Sequence, residues 1–277
     1  MKNQLIIFSK NRSCQLHLLL ESISKNSNNL FDYISVIYKF TDDEYRKGYK
    51  KIQNHFPTIN FILEGTFYED TIEAIKVDCE FTTFMVDDII FYRKLNTSKE
   101  KIYSMFDINK PISCFSLRLG LNSNYSHPAN MSYELGKHEK LGEFIKVNIR
   151  EQKGDLTYPL SVDGHIFKTD LIKESLKNIG KFNNPNIFES NLQSLLPKIN
   201  DYMVFLEESV IVSVPVNLVN ETFKNRHGLE FYMSEEHLNN RYMSGDVISY
   251  YDLDLGGING PHKEIEYKFK KYSDEPS

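Results

Sequence analysis

The fold is indicated by the stretch Gln4-Leu5-Ile6-Ile7-Phe8-Ser9-Lys10-Asn11-Arg12, in which an apolar run ends in polar residues. Its first part, Gln4–Ser9, is typical of a buried β-strand. A helix is predicted next from apolar residues at helical spacing, namely Leu16, Leu19, Leu20 and Ile23. The stretch therefore predicts a strand followed by a helix that packs back onto it.

The same alternation continues along the chain. In the front third, strands are predicted at Tyr33–Phe40, Ile59–Leu63 and Phe81–Val86, and helices at Asp42–His55 and Phe67–Val77. Further on, the pattern is less regular, with strands at Ile112–Leu117, Phe144–Ile149, Met203–Leu206 and Val210–Val214, and helices at Lys168–Asn178 and Asn186–Leu196. Alternating strands and helices form parallel sheets. We therefore expect an α/β protein with a mostly parallel, Rossmann-like sheet flanked by helices.

Composition narrows the class of protein. The chain has 277 residues, of which 40% are hydrophobic and 26% charged, and these are values of a globular protein. Its 33 Lys+Arg and 38 Asp+Glu leave a net charge of −5, which argues against a nucleic-acid binder. No apolar run approaches the roughly 18 residues that span a bilayer, and Leu5–Phe8 is too short for a signal peptide. The scattered cysteines Cys14, Cys79 and Cys114 predict free thiols and a cytoplasmic location.

A ligand site is predicted where the strands end. In open α/β sheets, ligands bind beyond the carboxyl ends of the strands, so the residues that follow these strands should converge on one crevice. The most informative pair is Asp87-Asp88, after the apolar strand residues Phe84–Val86. Adjacent carboxylates repel each other unless a cation lies with them, and Mg²⁺ or Mn²⁺ prefers such oxygen ligands. The alternative is that the pair caps a helix.

Several stretches resemble GT-A nucleotide-sugar glycosyltransferases, especially those similar to glycosyltransferase family 2. The opening of those enzymes is similar to Ile6-Ile7-Phe8-Ser9-Lys10-Asn11-Arg12, followed by Gln15-Leu16. Their acidic metal-binding motif is similar to Phe84-Met85-Val86-Asp87-Asp88-Ile89, with Val-Asp-Asp in place of a strict Asp-x-Asp. Their acceptor-side segments are similar to Tyr158–Phe167 and Asn184–Glu189. The resemblance covers most of residues 1–250.

The resemblance implies a single GT-A-like domain over residues 1–277. A nucleotide-sugar-binding half would lie at about 1–95, and an irregular acceptor half with a C-terminal tail at about 96–277. The implied reaction moves a sugar from a nucleotide-diphosphate donor to a hydroxyl of a glycan, lipid-linked or protein-linked acceptor, with inversion, as in polysaccharide biosynthesis. A membrane that carries the acceptor would then hold the protein peripherally.

Donor-binding and metal-binding roles are carried over position by position. Donor binding is implied for Ser9, Asn11, Arg12, Asp42, Glu64, Asp87, Arg118 and His165. Divalent metal, Mn²⁺ or Mg²⁺, is implied for Asp88 and Asp87, with His227 as a further ligand and His262 as its substitute. Simpler roles stay open: Asp42 and Glu64 as caps or surface charges, Arg118 as the partner of a structural carboxylate, and His165 as a structural residue.

Catalysis is assigned to carboxylates. Glu189 is the predicted base that deprotonates the acceptor hydroxyl, in a helix beginning near Asn186; an ordinary first-turn Glu is the alternative. Asp163, in a turn-like segment with Gly164, competes for the role. The competing class is a catalytically inactive carbohydrate-binding or scaffold protein, whose 17 Tyr and 19 Phe would stack on sugars. The segment Gly256–Gly260 is expected to be a mobile lid or a frayed tail.

Overall fold

The secondary structure is described for residues 1–109, 111–219, 222 and 226–272 of a computed structural model. The strands are β1 (Asn3–Lys10), β2 (Tyr33–Lys39), β3 (Asn60–Leu63), β4 (Phe81–Val86), β5 (Ile89–Phe91), β6 (Ile112–Ser116), β7 (Tyr125–Ser126), β8 (Met131–Ser132), β9 (His138–Leu141), β10 (Phe144–Asn148), β11 (His165–Lys168), β12 (Tyr202–Leu206), β13 (Ile211–Ser213), β14 (Asp246–Ile248) and β15 (Phe269–Lys271). The helices are α1 (Ser13–Asn26), α2 (Asp43–His55), α3 (Phe67–Ala74), α4 (Lys99–Ser104), α5 (Thr169–Asn178), α6 (Pro185–Gln193) and α7 (Glu235–Met243).

One large sheet takes strands from both halves of the chain. Within the described residues it has nine strands in the order β3-β2-β1-β4-β11-β6-β12-β10-β9. Of these nine described strands, β10 and β11 run against the other seven, because each pairs antiparallel with both of its neighbours. The sheet is therefore mostly parallel and flanked by helices, as the sequence predicts.

The sheet separates two apolar layers. Successive side chains of a strand point to opposite faces, and in β1 Leu5 and Ile7 pack on one face while Ile6 and Phe8 pack on the other. The first layer includes apolar residues of α1, α2, α4 and α7, and the second includes those of α3, α5 and α6. Burial of both faces explains why β1 reads as a continuous apolar run.

Several short strands are not predicted by the sequence patterns, and two of them, β11 and β5, matter for the site. β11 lies in the middle of the sheet between β4 and β6, although its four residues, His165–Lys168, carry a polar residue at each end. β5 pairs with β13 in a separate two-stranded sheet, so the strand predicted at Val210–Val214 does not join the large sheet. Both strands depend on partners distant in sequence, which short local patterns do not report.

The segment Gly256–Gly260 is bonded to the rest of the chain, which corrects the expectation of a frayed tail, while its role as a lid stays a prediction. The carbonyl oxygen of Asn259 accepts hydrogen bonds from the backbone N–H groups of Asn124 and Tyr125, at 2.9 and 3.1 Å. Beyond it, Ile265 and Tyr267 are buried in the core. The sequence did not predict this packing, because the apolar residues of the tail are few and follow no helical or strand spacing.

Replacing Gly260 by Ala is expected to destabilise the fold by about 1–3 kcal/mol, the usual cost of overpacking. A Cβ at this position would lie 2.1 Å from the carbonyl oxygen of Tyr125, a backbone atom that cannot easily move. Urea denaturation followed by circular dichroism measures the change. Gly180→Ala is the control, because a Cβ there meets nothing within 4 Å. Equal stability of the two variants would show that the tail is loosely held.

Candidate active site

The carboxyl ends of β1 and β4 open onto a cavity of about 870 Å³. The predicted site residues that line it are Ser9, Arg12, Glu64, Asp87, Asp88, Arg118, Asp163, His165, Glu189, His227 and His262. These residues come from distant parts of the chain, and the sheet brings them together because β1 and β4 are parallel neighbours while β11 enters beside β4 from the opposite direction. Asn11 and Asp42 are not among the lining residues.

Arg12 is the cation that accompanies the two aspartates. Its Nη1 donates to Asp87 Oδ1 and to Asp88 Oδ2, both at 3.0 Å. Its Nη2 donates to the carbonyl oxygen of Asn217 at 2.6 Å. Arg12 is 6% exposed and Asp87 3% exposed, so this is a buried ion cluster. Although burial acts to lower the pKa of the Arg12 guanidinium, the two carboxylates raise it, and the side chain stays charged.

Asp87 and Asp88 differ in how many carboxylate oxygens remain free to bind a ligand. Asp87 is fully engaged, since its Oδ2 also accepts from the backbone N–H of Lys10 at 3.2 Å. Asp88 uses Oδ2 for Arg12, and no hydrogen bond from the described residues reaches its Oδ1. Burial raises the pKa of Asp88 to about 6, with Asp87 and Asp163 adding to the effect and Arg12 opposing it. Asp88 is thus ionised at neutral pH.

Three predicted donor contacts make local structural bonds. The Ser9 hydroxyl lies 2.6 Å from the phenol oxygen of Tyr49. Asn11 binds Thr41 through both side-chain atoms, each at 3.0 Å. Asp42 caps α2 by accepting from the backbone N–H groups of its first turn. Asn11 and Asp42 lie outside the cavity lining, and their donor-binding roles stay predictions.

Glu64 faces the cavity near the end of β3. It forms an ion pair with Lys39, which also lines the cavity, at 2.9 Å. Glu64 therefore has a partner in the protein, and its role in donor binding stays a prediction.

Arg118 holds Asp163 in place. Its Nη1 donates to Asp163 Oδ2 at 3.0 Å and to the Ser161 hydroxyl at 2.7 Å. Gly164 follows with a φ of +81°, a conformation that favours glycine, and turns the chain into β11. Arg118 therefore has a carboxylate partner, and its role in donor binding stays a prediction. Its Nε is buried without a partner among the described residues.

Glu189 lines the same cavity and belongs to α6. Asn184 caps this helix and Pro185 begins it, which explains why the helix begins just before Glu189. Glu189 Oε1 accepts from the backbone N–H of Val162 at 2.9 Å. Burial, with Asp163 adding, raises the pKa of Glu189 to about 7, while Ser161, Val162 and Arg118 oppose the rise. A carboxylate with such a pKa can exchange a proton near neutral pH.

Two histidines of the cavity, His165 and His262, are uncharged because burial lowers the pKa of each. Burial, with Arg118 adding, lowers the pKa of His165 to about 3. Its Nδ1 lies 2.9 Å from the carbonyl oxygen of Pro159, which only accepts, so we assign the proton to Nδ1 and a lone pair to the unpartnered Nε2. This lone pair suits a sugar hydroxyl better than a phosphate oxygen. Burial also lowers the pKa of His262.

The side chains of the cavity give limited support to the predicted divalent-metal site. Among the residues that the structure describes, no three His, Cys, Asp or Glu side chains form a group that could hold a metal ion. His227 and His262 line the cavity, but neither completes such a group with the aspartates. The available oxygen is Oδ1 of Asp88. Mg²⁺ is commonly bound through one or two carboxylates, substrate phosphates and water, and a single carboxylate oxygen fits that mode.

Some lining residues were missed by sequence reasoning. Tyr158, next to Glu189, is 40% exposed. Its pKa is raised by burial and by the charges of Glu189 and Asp163. His127 and Arg226 also line the cavity. They lie in irregular segments, where no strand end marks a ligand-binding position.

The structure is that of an α/β protein with a mostly parallel sheet and a polar cavity at the carboxyl ends of β1 and β4. No protein-family model matches the sequence. The chain is 26% identical over 255 residues to the bifunctional glycosyltransferase pgtA of Dictyostelium discoideum, covering 80% of this chain and 33% of that relative. The chain thus spans about a third of the relative's length. This similarity confirms the predicted resemblance to glycosyltransferases.

Solved structures of S. aureus TarS are also similar. Residues 1–349 of TarS match with a TM-score of 0.48 and 15% identity, over 77% of this chain and 60% of that one. The same fragment in complex with UDP matches with a TM-score of 0.47 and 17% identity, over 76% of this chain and 60% of that one. In the described part of our chain, no helix has the length and apolar character needed to cross a membrane.

Proposed function

We propose that this chain is a glycosyltransferase that moves a sugar from a nucleotide-diphosphate donor to a hydroxyl acceptor. The observation that carries the proposal is the placement of Glu189, whose pKa is about 7, in the same cavity as the Asp87–Asp88 pair. One group is suited to proton transfer and the other to a metal-bound diphosphate. The similarity to pgtA supports the same class.

In the proposed reaction, Glu189 accepts the proton of the acceptor hydroxyl. The acceptor oxygen then forms a bond to the anomeric carbon while the bond from that carbon to the diphosphate oxygen breaks. A single displacement of this kind inverts the anomeric configuration. Arg118 orients Asp163 through the 3.0 Å ion pair. The charge of Asp163 adds to the effect of burial on the pKa of Glu189, while the charge of Arg118 opposes it.

Asp88 is the residue that we propose for the divalent metal, through Oδ1. Asp87 and Arg12 would hold Asp88 in position, because Arg12 Nη1 joins both carboxylates. A bound Mn²⁺ or Mg²⁺ would stabilise the charge that develops on the departing diphosphate. His227 remains a proposed additional ligand.

Replacing Asp88 by Asn is expected to lower metal-dependent turnover by about 10²-fold or more, because the amide loses the charge that holds the cation. The measurement is release of nucleoside diphosphate from a panel of UDP-, GDP-, CDP- and TDP-sugars with Mn²⁺, Mg²⁺ or EDTA. Product anomers are assigned by NMR. We expect one donor to support turnover, with a product of inverted configuration.

The control is Asp170→Asn on α5, which changes an acidic residue outside the cavity lining. Wild-type turnover that persists in EDTA, or an unchanged rate in the Asp88 variant, would remove the metal from the proposal. Absence of turnover with every donor, together with binding of free glycans, would favour the carbohydrate-binding alternative instead. A product of retained configuration would contradict the single displacement.

A further inference from the structure

Arg226 presents a positive charge to the cavity without a carboxylate partner. Its Nη1 lies within hydrogen-bond distance of three oxygens, which share its two N–H groups: the Tyr125 hydroxyl at 3.1 Å, the carbonyl oxygen of His127 at 2.9 Å and Asn130 Oδ1 at 2.8 Å. All three acceptors are neutral. Within the described residues, Arg226 forms no ion pair with Asp or Glu, and its Nε and Nη2 make no hydrogen bond. The other arginines of this cavity, Arg12 and Arg118, are both paired with aspartates.

The groups around Arg226 do not neutralise it. Glu264 accepts from the backbone N–H groups of Leu229, Glu230 and Phe231 at 2.9, 2.8 and 3.2 Å. It is absent from the cavity lining. Despite its burial, those N–H groups lower the pKa of Glu264, so its charge is stabilised by the loop that it holds. The cavity therefore meets the guanidinium and not the carboxylate.

The neighbouring histidine adds no charge. Burial, followed by Arg226 itself, lowers the pKa of His127. Its Nδ1 is buried without a partner among the described residues. Arg226 is thus a cationic group of the cavity lining. Its Nη1 is held among three neutral oxygens, and its Nε and Nη2 have no partner among the described residues. Such a fork matches the oxygens of a phosphate or carboxylate.

The contacts of Arg226 connect it to the segment that leads to Glu189. It is bound by the segment Tyr125–Asn130, whose strand β7 packs against the 3₁₀ turn Gly154–Thr157. That turn leads into Tyr158 and the Ser161–Asp163 segment that contacts Glu189. The donor phosphates are expected instead at Asp87 and Asp88, where Arg12 is already engaged.

We propose that Arg226 forms an anion-binding subsite for a phosphate or carboxylate group of the acceptor. The acceptor would then be an anionic sugar or polymer in which the charged group lies near the reacting hydroxyl. Assigning the anion to the acceptor rests on the proposed function. The existence of an anion-binding site at Arg226 does not.

The test is calorimetric titration of inorganic phosphate into the full chain, with Mg²⁺, in the absence and presence of saturating UDP. With UDP bound, phosphate is expected to bind the wild type and to lose about tenfold in affinity in Arg226→Gln, since a charge-assisted bond is worth about one factor of ten or more. Arg226→Lys keeps the charge and should lose less. UDP affinity should change less than about twofold in both variants.

Arg93→Gln is the matched control, because Arg93 is outside the cavity lining and pairs with Glu208. Phosphate affinity that is equal in wild type and Arg226→Gln overturns the subsite. A tenfold loss of UDP affinity in Arg226→Gln, with no phosphate bound beside UDP, assigns Arg226 to the donor and also overturns it. If neither UDP nor GDP, CDP or TDP binds, the donor proposal fails, while Arg226-dependent phosphate binding still supports the anion site.

Discussion

Replacing Glu189 by Gln is expected to lower kcat by about 10²–10⁴-fold, the usual contribution of a general base, and to stabilise the fold. Gln keeps the Oε1 acceptor that binds the N–H of Val162 but carries no buried charge. At pH 8 the ionised Glu189 opposes folding, because its pKa is raised from 4.5 to about 7. The expected increase in the free energy of unfolding is about 1–3 kcal/mol. Thermal unfolding measures it, and steady-state kinetics measure kcat.

The same pKa sets the pH dependence. Since a base must be ionised, kcat/KM of the wild type should rise through pH 7 and level off above it. Stability runs the other way: a folded-state pKa above 4.5 means that the contribution of Glu189 is fully present below pH 4.5 and is lost as pH rises through about 7. The stabilisation of Glu189→Gln should therefore disappear near pH 4.

Glu73→Gln is the control, because Glu73 is an exposed glutamate of α3 outside the cavity. It should change neither kcat nor unfolding. Near-normal transfer by Glu189→Gln together with complete loss in Asp163→Asn would move the role of base to Asp163. Loss of activity without any gain in stability would indicate that folding does not raise the pKa of Glu189.

Replacing Arg12 by Met is expected to destabilise the protein by about 3–5 kcal/mol, the cost of leaving a buried charge without its partner. The Met side chain fills similar space, but Asp87 and Asp88 would face each other without a cation. The bond to the carbonyl oxygen of Asn217 is lost as well. Chemical denaturation measures the loss, and donor binding should weaken with it because Asp88 is no longer held.

Arg93→Met is the comparison, since Arg93 is a surface partner of Glu208 and exposed pairs contribute about 0–1 kcal/mol. Arg12→Lys should fall between the wild type and Arg12→Met, because an ammonium retains the charge but not the planar fork. An Arg12→Met protein as stable as the wild type would mean that the aspartates are held by other groups.

Much of the fold and the site was predictable from strong local patterns. The run at β1 and the apolar residues before Asp87 predicted buried parallel strands, and the rule for strand ends then placed Ser9, Arg12 and Asp88 at one cavity. Glu189 was chosen from the resemblance to glycosyltransferases, and the Asn184-Pro185 pair marks the start of its helix. The boundaries of most elements shifted by only a few residues, because these elements form from their own side-chain spacing.

What the sequence by itself determined is the alternation of strands and helices, the sheet edge at which the cavity opens and the residue types found there. Tertiary structure alone decided the partners: Arg12 for both aspartates, Arg118 for Asp163, and the neutral oxygens around Arg226. It also placed β11 in the middle of the sheet and packed the tail beyond Gly256. The physical reason is that periodicity reports which face of an element is buried, whereas ion pairing and strand order depend on contacts between residues far apart in the chain.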